Sequence, residues 1–332
     1  MESVLSFSTA DLAMTRYAVS PMWEVVTSFR LLRAEVDPPL HRRWAAQVRP
    51  RLERTGLDRG WLAELIPLTG YLADFLNPTP ASPFPGLSGE LAAIRATSAG
   101  QVRAELDMLA AEAGRDGGRS ARFRLLYDAP EETLGKVAAE IEAYWELALA
   151  PYWARIRHLL EADVFYRARQ AAEHGSAHVL DELHDSVRWD DGTLRLVRRH
   201  CAVTRGQAGG GLLLVPSAFV WPRVLTRSVA GEPPQLAYPA RGVGNLWEPR
   251  TPTSAAAVAG VLGRSRTRIL TELDTPSSTT QLARRAGMSA AGVSQHLTAL
   301  RDAGLVTAHR SGRSVLYART AVADALLTPA GD

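Results

Sequence analysis

Apolar positions recur at intervals of three and four through most of the first 185 residues, a spacing that buries one face of a helix. Ser8-Thr9 opens a turn into Ala10–Val19, and Val26, Phe29 and Leu32 share one side of a helix predicted over Trp23–Ala34. After Pro38-Pro39, short helices are predicted at His41–Leu52 and Arg59–Leu65, with Trp44 and Trp61 as apolar anchors. Asn77–Ser88 holds four prolines and can only be an ordered loop or strap. Helices follow at Gly89–Thr97 and Ala99–Ala113, and Gly114–Gly118 breaks the pattern. The strongest periodicity starts at Pro130, a good first-turn residue, and runs through Val137, Ile141 and Trp145 to Ala150. Pro151 restarts it, and Tyr152–His174 continues with Trp153, Ile156, Leu160 and Tyr166.

Beyond His184 the period shortens to two. Ser186–Val197 alternates about Asp191-Gly192, the signature of a tight hairpin. Gly211–Val220, Val224–Val229 and Pro234–Tyr238 are further strand candidates. Gly242–Pro252 then breaks both periods and is read as a linker, and helical spacing resumes at Ala255–Leu262 and Ser265–Leu273. The predicted class is mainly α with a small β component, α+β. A helical N-terminal domain carrying a small antiparallel sheet, residues 1–245, precedes a C-terminal winged helix-turn-helix, residues 253–330.

The winged helix is read from Thr279–Tyr317. Thr279 can cap a helix Thr280–Ala286, in which Leu282, Ala283 and Ala286 form a buried stripe. Gly287 suits the left-handed residue that ends a helix, and Ser289 caps the next one after a connection of helix-turn-helix length. That second helix, Ala290–Ala303, places Val293, His296, Leu297 and Leu300 inward and Ala291, Ser294, Gln295 and Thr298 outward. An outward face of small, uncharged polar groups lets a helix backbone approach the floor of a DNA major groove. A face kept only for solubility more often carries Glu and Lys. Leu305–Arg310 and Arg313–Ala318 read as a hairpin about Ser311-Gly312, with Arg310 and Arg313 flanking its tip where guanidinium groups can meet phosphates.

The run Ser289, Val293-Ser294-Gln295-His296-Leu297, Leu300-Arg301, Ala303-Gly304-Leu305-Val306, followed by a basic hairpin and Tyr317, resembles the ArsR-type winged-helix transcription regulators. The resemblance covers roughly the last 75 to 80 residues, with helix, turn, helix and wing in order. Gly292 departs from it, standing where a larger helix former is usual, at a cost of roughly 1 kcal/mol. The resemblance implies a regulator of double-stranded DNA, commonly a homodimeric repressor. Its DNA-binding residues here would be Thr279, Thr280, Gln281, Ser289, Ala290, Ala291, Ser294, Gln295, Thr298, Arg301, Arg310 and Arg313. Metal-sensing members hold a Cys-x-Cys motif on the helix before the recognition helix, or Asp and His ligands on the last helix. Here the first place reads Leu282-Ala283-Arg284-Arg285, and Ala321–Leu327 offers only Asp324, so no metal and no cofactor is expected. The bland alternative is a small helical domain used for protein contacts.

Charge supports the DNA reading through its distribution. The formal net charge of the chain is only +3. From Thr251 onward nine arginines face five acids, giving +4 there and −1 before it. Of 38 basic residues only Lys136 is a lysine, a bias better explained by a G+C-rich genome than by function. With Cys201 as the single cysteine, no apolar run of membrane-spanning length and acids at Glu2 and Asp11, a cytoplasmic protein is expected.

Other candidates read as structural. His174 and His178 stand four apart near Glu173, Asp181, Glu182 and His184, but Gly175 interrupts the helix that would align them on a metal. Gly209-Gly210-Gly211 lacks the lysine and the following helix of a phosphate loop. Cys201 has no evident partner, and His296 lies on the inner side of its helix. The aromatic set Trp145, Tyr152, Trp153, Phe165 and Tyr166 either builds core or lines a pocket for a small-molecule effector. The rival function is an enzyme or ligand-binding protein with its site within residues 1–245 and an accessory winged helix, although no nucleophile–base pair, Walker loop or dinucleotide fingerprint is evident.

Overall fold

The computed structural model describes residues 3–6, 11, 13–34, 39–112, 120–190, 193–196, 204–205, 210–247, 255–311 and 314–327. The fold is mainly helical with a small β component, as expected from the periodicities. At its centre lies the helix Pro21–Leu32, whose residues from Pro21 to Phe29 are all buried. A helix covered all round belongs in the middle of a core. Ser20 caps it by accepting the N–H of Trp23 at 3.2 Å, and Pro21 occupies the first turn, where its missing N–H costs nothing. Around it pack the helices Arg42–Thr55, Leu87–Arg95 and Pro130–Ala148. A 3-10 turn, Ala150–Tyr152, joins Pro130–Ala148 to Trp153–His174 and makes an elbow at the expected proline.

Outside the C-terminal part, the strands form two four-stranded sheets. In the first, β1 (Ser3–Ser6) runs antiparallel to one strand and parallel to another, and β2 (Arg16–Tyr17) opens the second sheet. The hairpin β3 (Val187–Asp190) and β4 (Thr193–Leu196) completes the first sheet with β5 (Thr204–Arg205), in the order β3-β4-β1-β5. The second sheet has the order β2-β6-β8-β7, with β6 at Leu213–Ser217, β7 at Leu225–Arg227 and β8 at Gln235–Pro239. There β6 lies parallel to both neighbours and is buried along its whole length, as a strand covered on both faces must be.

Two differences from the predicted elements have clear causes. The helix expected over Ala10–Val19 yields at Arg16–Tyr17 to a strand, because those residues pair with Leu213 and Leu214 across the length of the chain. The helix Ala121–Asp128 was not expected. Ser120 caps it by accepting the Phe123 N–H at 3.0 Å, and Phe123 and Leu126 bury its short apolar edge. The hairpin turn at Asp191-Gly192 and the break at Gly114–Gly118 lie outside the described residues.

The C-terminal part has its own apolar cluster, built on Ile269, Leu270, Leu282, Val293, Leu297, Leu300 and Val306. The larger cluster ends with Trp247. Among the described residues no helix is long and apolar enough to cross a membrane.

Candidate nucleic-acid interface

Two capped helices create the site. Four hydroxyl residues in a row, Ser277-Ser278-Thr279-Thr280, can each cap a helix. Ser278 does so rather than Thr279, because Gln281 stands three residues on and completes a capping box. The Gln281 side-chain oxygen accepts the Ser278 N–H at 2.8 Å while Ser278 Oγ accepts the Gln281 N–H at 3.4 Å. The helix is therefore Thr279–Ala286, one residue longer than predicted. It leaves Thr279 half-buried and Thr280 and Gln281 exposed at the first turn, where unpaired N–H groups favour anions. Gly287 ends it at φ 59°, a conformation that a side chain would strain, and the Met288 N–H reaches back to Ala283 O at 3.0 Å.

The recognition helix follows as Ala290–Asp302. Ser289 caps it through the Gly292 N–H at 3.1 Å. A Cβ on Gly292 would sit 3.1 Å from that capping oxygen, a physical reason for glycine at this place. Val293, Leu297 and Leu300 anchor the inner face. Ser289, Ala290, Ala291, Ser294, Gln295, Thr298 and Arg301 are all exposed on the outside. Thr298 spends its hydroxyl proton on Ser294 O at 3.1 Å and can only accept from a ligand. Arg301 lies 3.7 Å from Asp302, which offsets part of its charge.

The wing strands are β9 (Ser277–Ser278), β10 (Val306–Ser311) and β11 (Ser314–Arg319), in the order β10-β11-β9. Side chains two apart on a strand, and those directly across from them, share a face. Val306, Ala308 and Arg310, with Val315 and Tyr317 opposite, form the face that carries Val306 into the helical cluster. Arg310 continues that face beyond the core and is exposed on the recognition-helix side. Thr307, His309, Leu316 and Ala318 form the other face. It turns toward the elbow of the long helices, where His309 Nδ1 stands 3.6 Å from Glu146. Arg155 adds a bond to Asp274 O at 3.2 Å. The rest of the chain thus grips the back of the wing and leaves the recognition helix open. Arg313, with Gly312, lies outside the described residues.

Three further arginines belong to the neighbourhood. The Arg268 guanidinium lies beside the turn, 3.8 Å from where a Cβ on Gly287 would sit, and Arg284 is exposed in the last turn of Thr279–Ala286. Arg285 is occupied, donating to Ser277 and lying 3.6 Å from Asp274. In the sequence the Arg284-Arg285 pair stands where metal-sensing members of the resembled family carry cysteines, and its place in this neighbourhood follows only from the fold.

The remaining candidates fall elsewhere. His174 ends one helix and His178 belongs to the next, Ser176–Asp181, with their rings in edge contact at 4.9 Å. Among the described residues no trio of His, Cys, Asp or Glu is arranged to hold a metal. Gly211 gives its N–H to the buried Asp11 at 2.9 Å, and a Cβ there would fall 2.5 Å from Met14 O, so this glycine serves close packing. His296 is partly buried, and Cys201 lies outside the described residues. The aromatic set splits. Tyr152 joins the core and Phe165 is 75% exposed, whereas Trp145 and Trp153 meet in a cleft at the elbow.

A family model described as a helix-turn-helix domain matches residues 262–309, from the end of Ala255–Leu262 through the recognition helix into β10. The C-terminal part is thus a helix-turn-helix domain, the mark of a DNA-binding regulator. A second model, a family of unknown function (DUF5937), matches residues 98–244. Comparison with curated proteins and with solved structures gives no match.

Proposed function

We propose that the protein is an ArsR-type transcription regulator acting as a homodimeric repressor, without a metal site in its winged helix. One observation carries the reading: the uncharged face of Ser294, Gln295 and Thr298 and the side chain of Arg310 stand exposed while the opposite face of the wing takes up the contact with the elbow. In this reading Ser289, Ala290, Ala291, Ser294, Gln295 and Thr298 enter the major groove. Thr279, Thr280, Gln281, Arg301, Arg310 and Arg313 meet phosphates. Residues 253–330 read DNA, and residues 1–245 serve pairing or effector binding.

Beyond any pairing through residues 1–245, a second pairing surface is offered by exposed apolar groups on two C-terminal helices in contact, Ala255–Leu262 and Ala321–Leu327. Val261 is 86% exposed, Val322 60% and Leu326 46%, and a second copy would cover them. Two modules related by a two-fold axis would read an inverted repeat with half-sites about one turn of DNA apart.

The test is fluorescence anisotropy on DNA from the protein's own promoter region and on single-base variants of it. Gln295→Ala should flatten the preference at one base pair, a loss of about 1–3 kcal/mol of discrimination. Arg310→Ala should weaken binding to every sequence alike and lower the salt slope by about 1. Equal losses on all base variants for Gln295→Ala would contradict its assigned role.

A further inference from the structure

Between the elbow of the long helices and the back of the wing lies a cleft of about 530 Å³, within the size range of small-molecule sites. A neighbouring seam lined by Tyr152, Arg155 and Asp274 holds only about 30 Å³, room for a water or so. The cleft has an aromatic wall in Trp145 and Trp153, whose rings meet edge to face at 4.8 Å and 62°. Its cations are already matched: Arg157 is bound to Glu161 at 2.6 Å and Arg319 to Asp324 at 2.9 Å. Glu146 is not matched in this way. Its carboxylate is half exposed, and its contact with the wing is His309 Nδ1 at 3.6 Å, beyond hydrogen-bond length. The second ring nitrogen of His309 is held by Thr307 at 2.9 Å.

We propose that this cleft is the effector site and that it takes a planar aromatic cation, its ring on the Trp145–Trp153 wall and its charge on Glu146. Indole faces and a carboxylate short of a partner select together for an organic cation, and an aromatic anion would meet guanidinium groups that are already engaged. Placement supplies the coupling. Glu146 belongs to the elbow and His309 to the wing, so a ligand that takes Glu146 disturbs one of the polar contacts between the elbow and the winged helix, another being Arg155 on Asp274 O. The effect on DNA rests on the regulator reading; the binding of the cation does not.

The experiment uses the full chain and two xanthene dyes of opposite charge, rhodamine 6G as the cation and fluorescein as the anion. Anisotropy without DNA should show the cation binding about tenfold tighter than the anion, and Glu146→Gln should erase about tenfold for the cation alone. Glu131→Gln, at an exposed carboxylate in the first turn of the same helix as Glu146 and outside the cleft, should leave the affinity nearly unchanged. Thr307→Trp should close the cleft to both dyes. Equal binding of the dyes, a preference for fluorescein, no binding, or equal losses in the two Glu variants overturns the proposal.

In a gel shift, saturating rhodamine 6G should change DNA affinity by about fivefold or more in the native protein and not in Glu146→Gln. Unchanged DNA affinity with dye bound overturns the effector role. A chain that binds the cation through Glu146 but never binds DNA sinks the regulator reading instead.

Discussion

A thermal melt at about pH 9 should lie well below one at about pH 5, and Glu24→Gln should remove much of the difference. Glu24 sits fully buried on the central helix Pro21–Leu32, with its two oxygens 3.2 and 3.1 Å from the Ala218 N–H. Burial pushes its pKa from the ordinary 4.5 to about 8, although hydrogen bonds from Ser217 and Ala218 pull it down. Glu90 accepts from Ser20 Oγ at 2.6 Å and from the Met22 N–H at 2.9 Å, and burial holds it at about 7. Asp74 is raised to about 7 by burial and then by the nearby Glu105.

A folded-state pKa above the unfolded one means that the native chain binds more protons between the two values, so stability falls as pH rises through that window. The contribution of Glu24 is complete below about 4.5 and is lost on the way to about 8. At about 1.4 kcal/mol per pKa unit, that loss is several kcal/mol. Glu232 acts in the opposite sense, since its bond to Arg227 lowers its pKa and its contribution is lost only below the ordinary 4.5. Gln is a neutral stand-in for the protonated acid. The variant should match the native protein at about pH 5 and exceed it at about pH 9. Melts of Glu24→Gln that fall with pH as steeply as the native ones would place the dependence elsewhere.

The winged helix was legible because its signals are local. Gly287 and Ser289 mark the turn between helices within three residues, and Val293, Leu297 and Leu300 repeat at helical spacing. Even the error at its start was local: among four hydroxyl residues in a row the capping partner Gln281 chose Ser278. The N-terminal part was legible only where helices depend on their own residues. Strands β1 and β2 are short, and they owe their state to partners near Leu196 and Leu213 that no local pattern reveals. Glu24 looks like a solvated helix residue in sequence, and only the fold brings Ala218 onto it. The cleft was half visible. Trp145 and Trp153 stand out in the sequence as core or pocket residues, but their opposition to His309 depends on how the wing seats against the elbow.

Trp44→Ala should cost the N-terminal part about 3–5 kcal/mol, and Trp44→Phe roughly half as much. The side chain is 1% exposed and meets Phe219 at 4.6 Å and Trp247, nearly parallel, at 6.2 Å. Its indole N–H also donates to Ala148 O at 2.9 Å. That carbonyl belongs to the last turn of Pro130–Ala148, where no helical N–H remains to satisfy it. Alanine removes the rings and the donor, whereas phenylalanine keeps most of the apolar area and loses the donor. The comparison separates packing from the helix-end bond. Trp247 contacts Tyr152 at 5.6 Å, so the same cluster braces the elbow that forms one wall of the cleft. On the proposed division between residues 245 and 253, Trp44→Ala should shift the transition of the larger part in a urea titration and leave that of the winged helix in place. A variant within about 0.5 kcal/mol of the native protein would mean that neither the rings nor the bond to Ala148 contributes as argued.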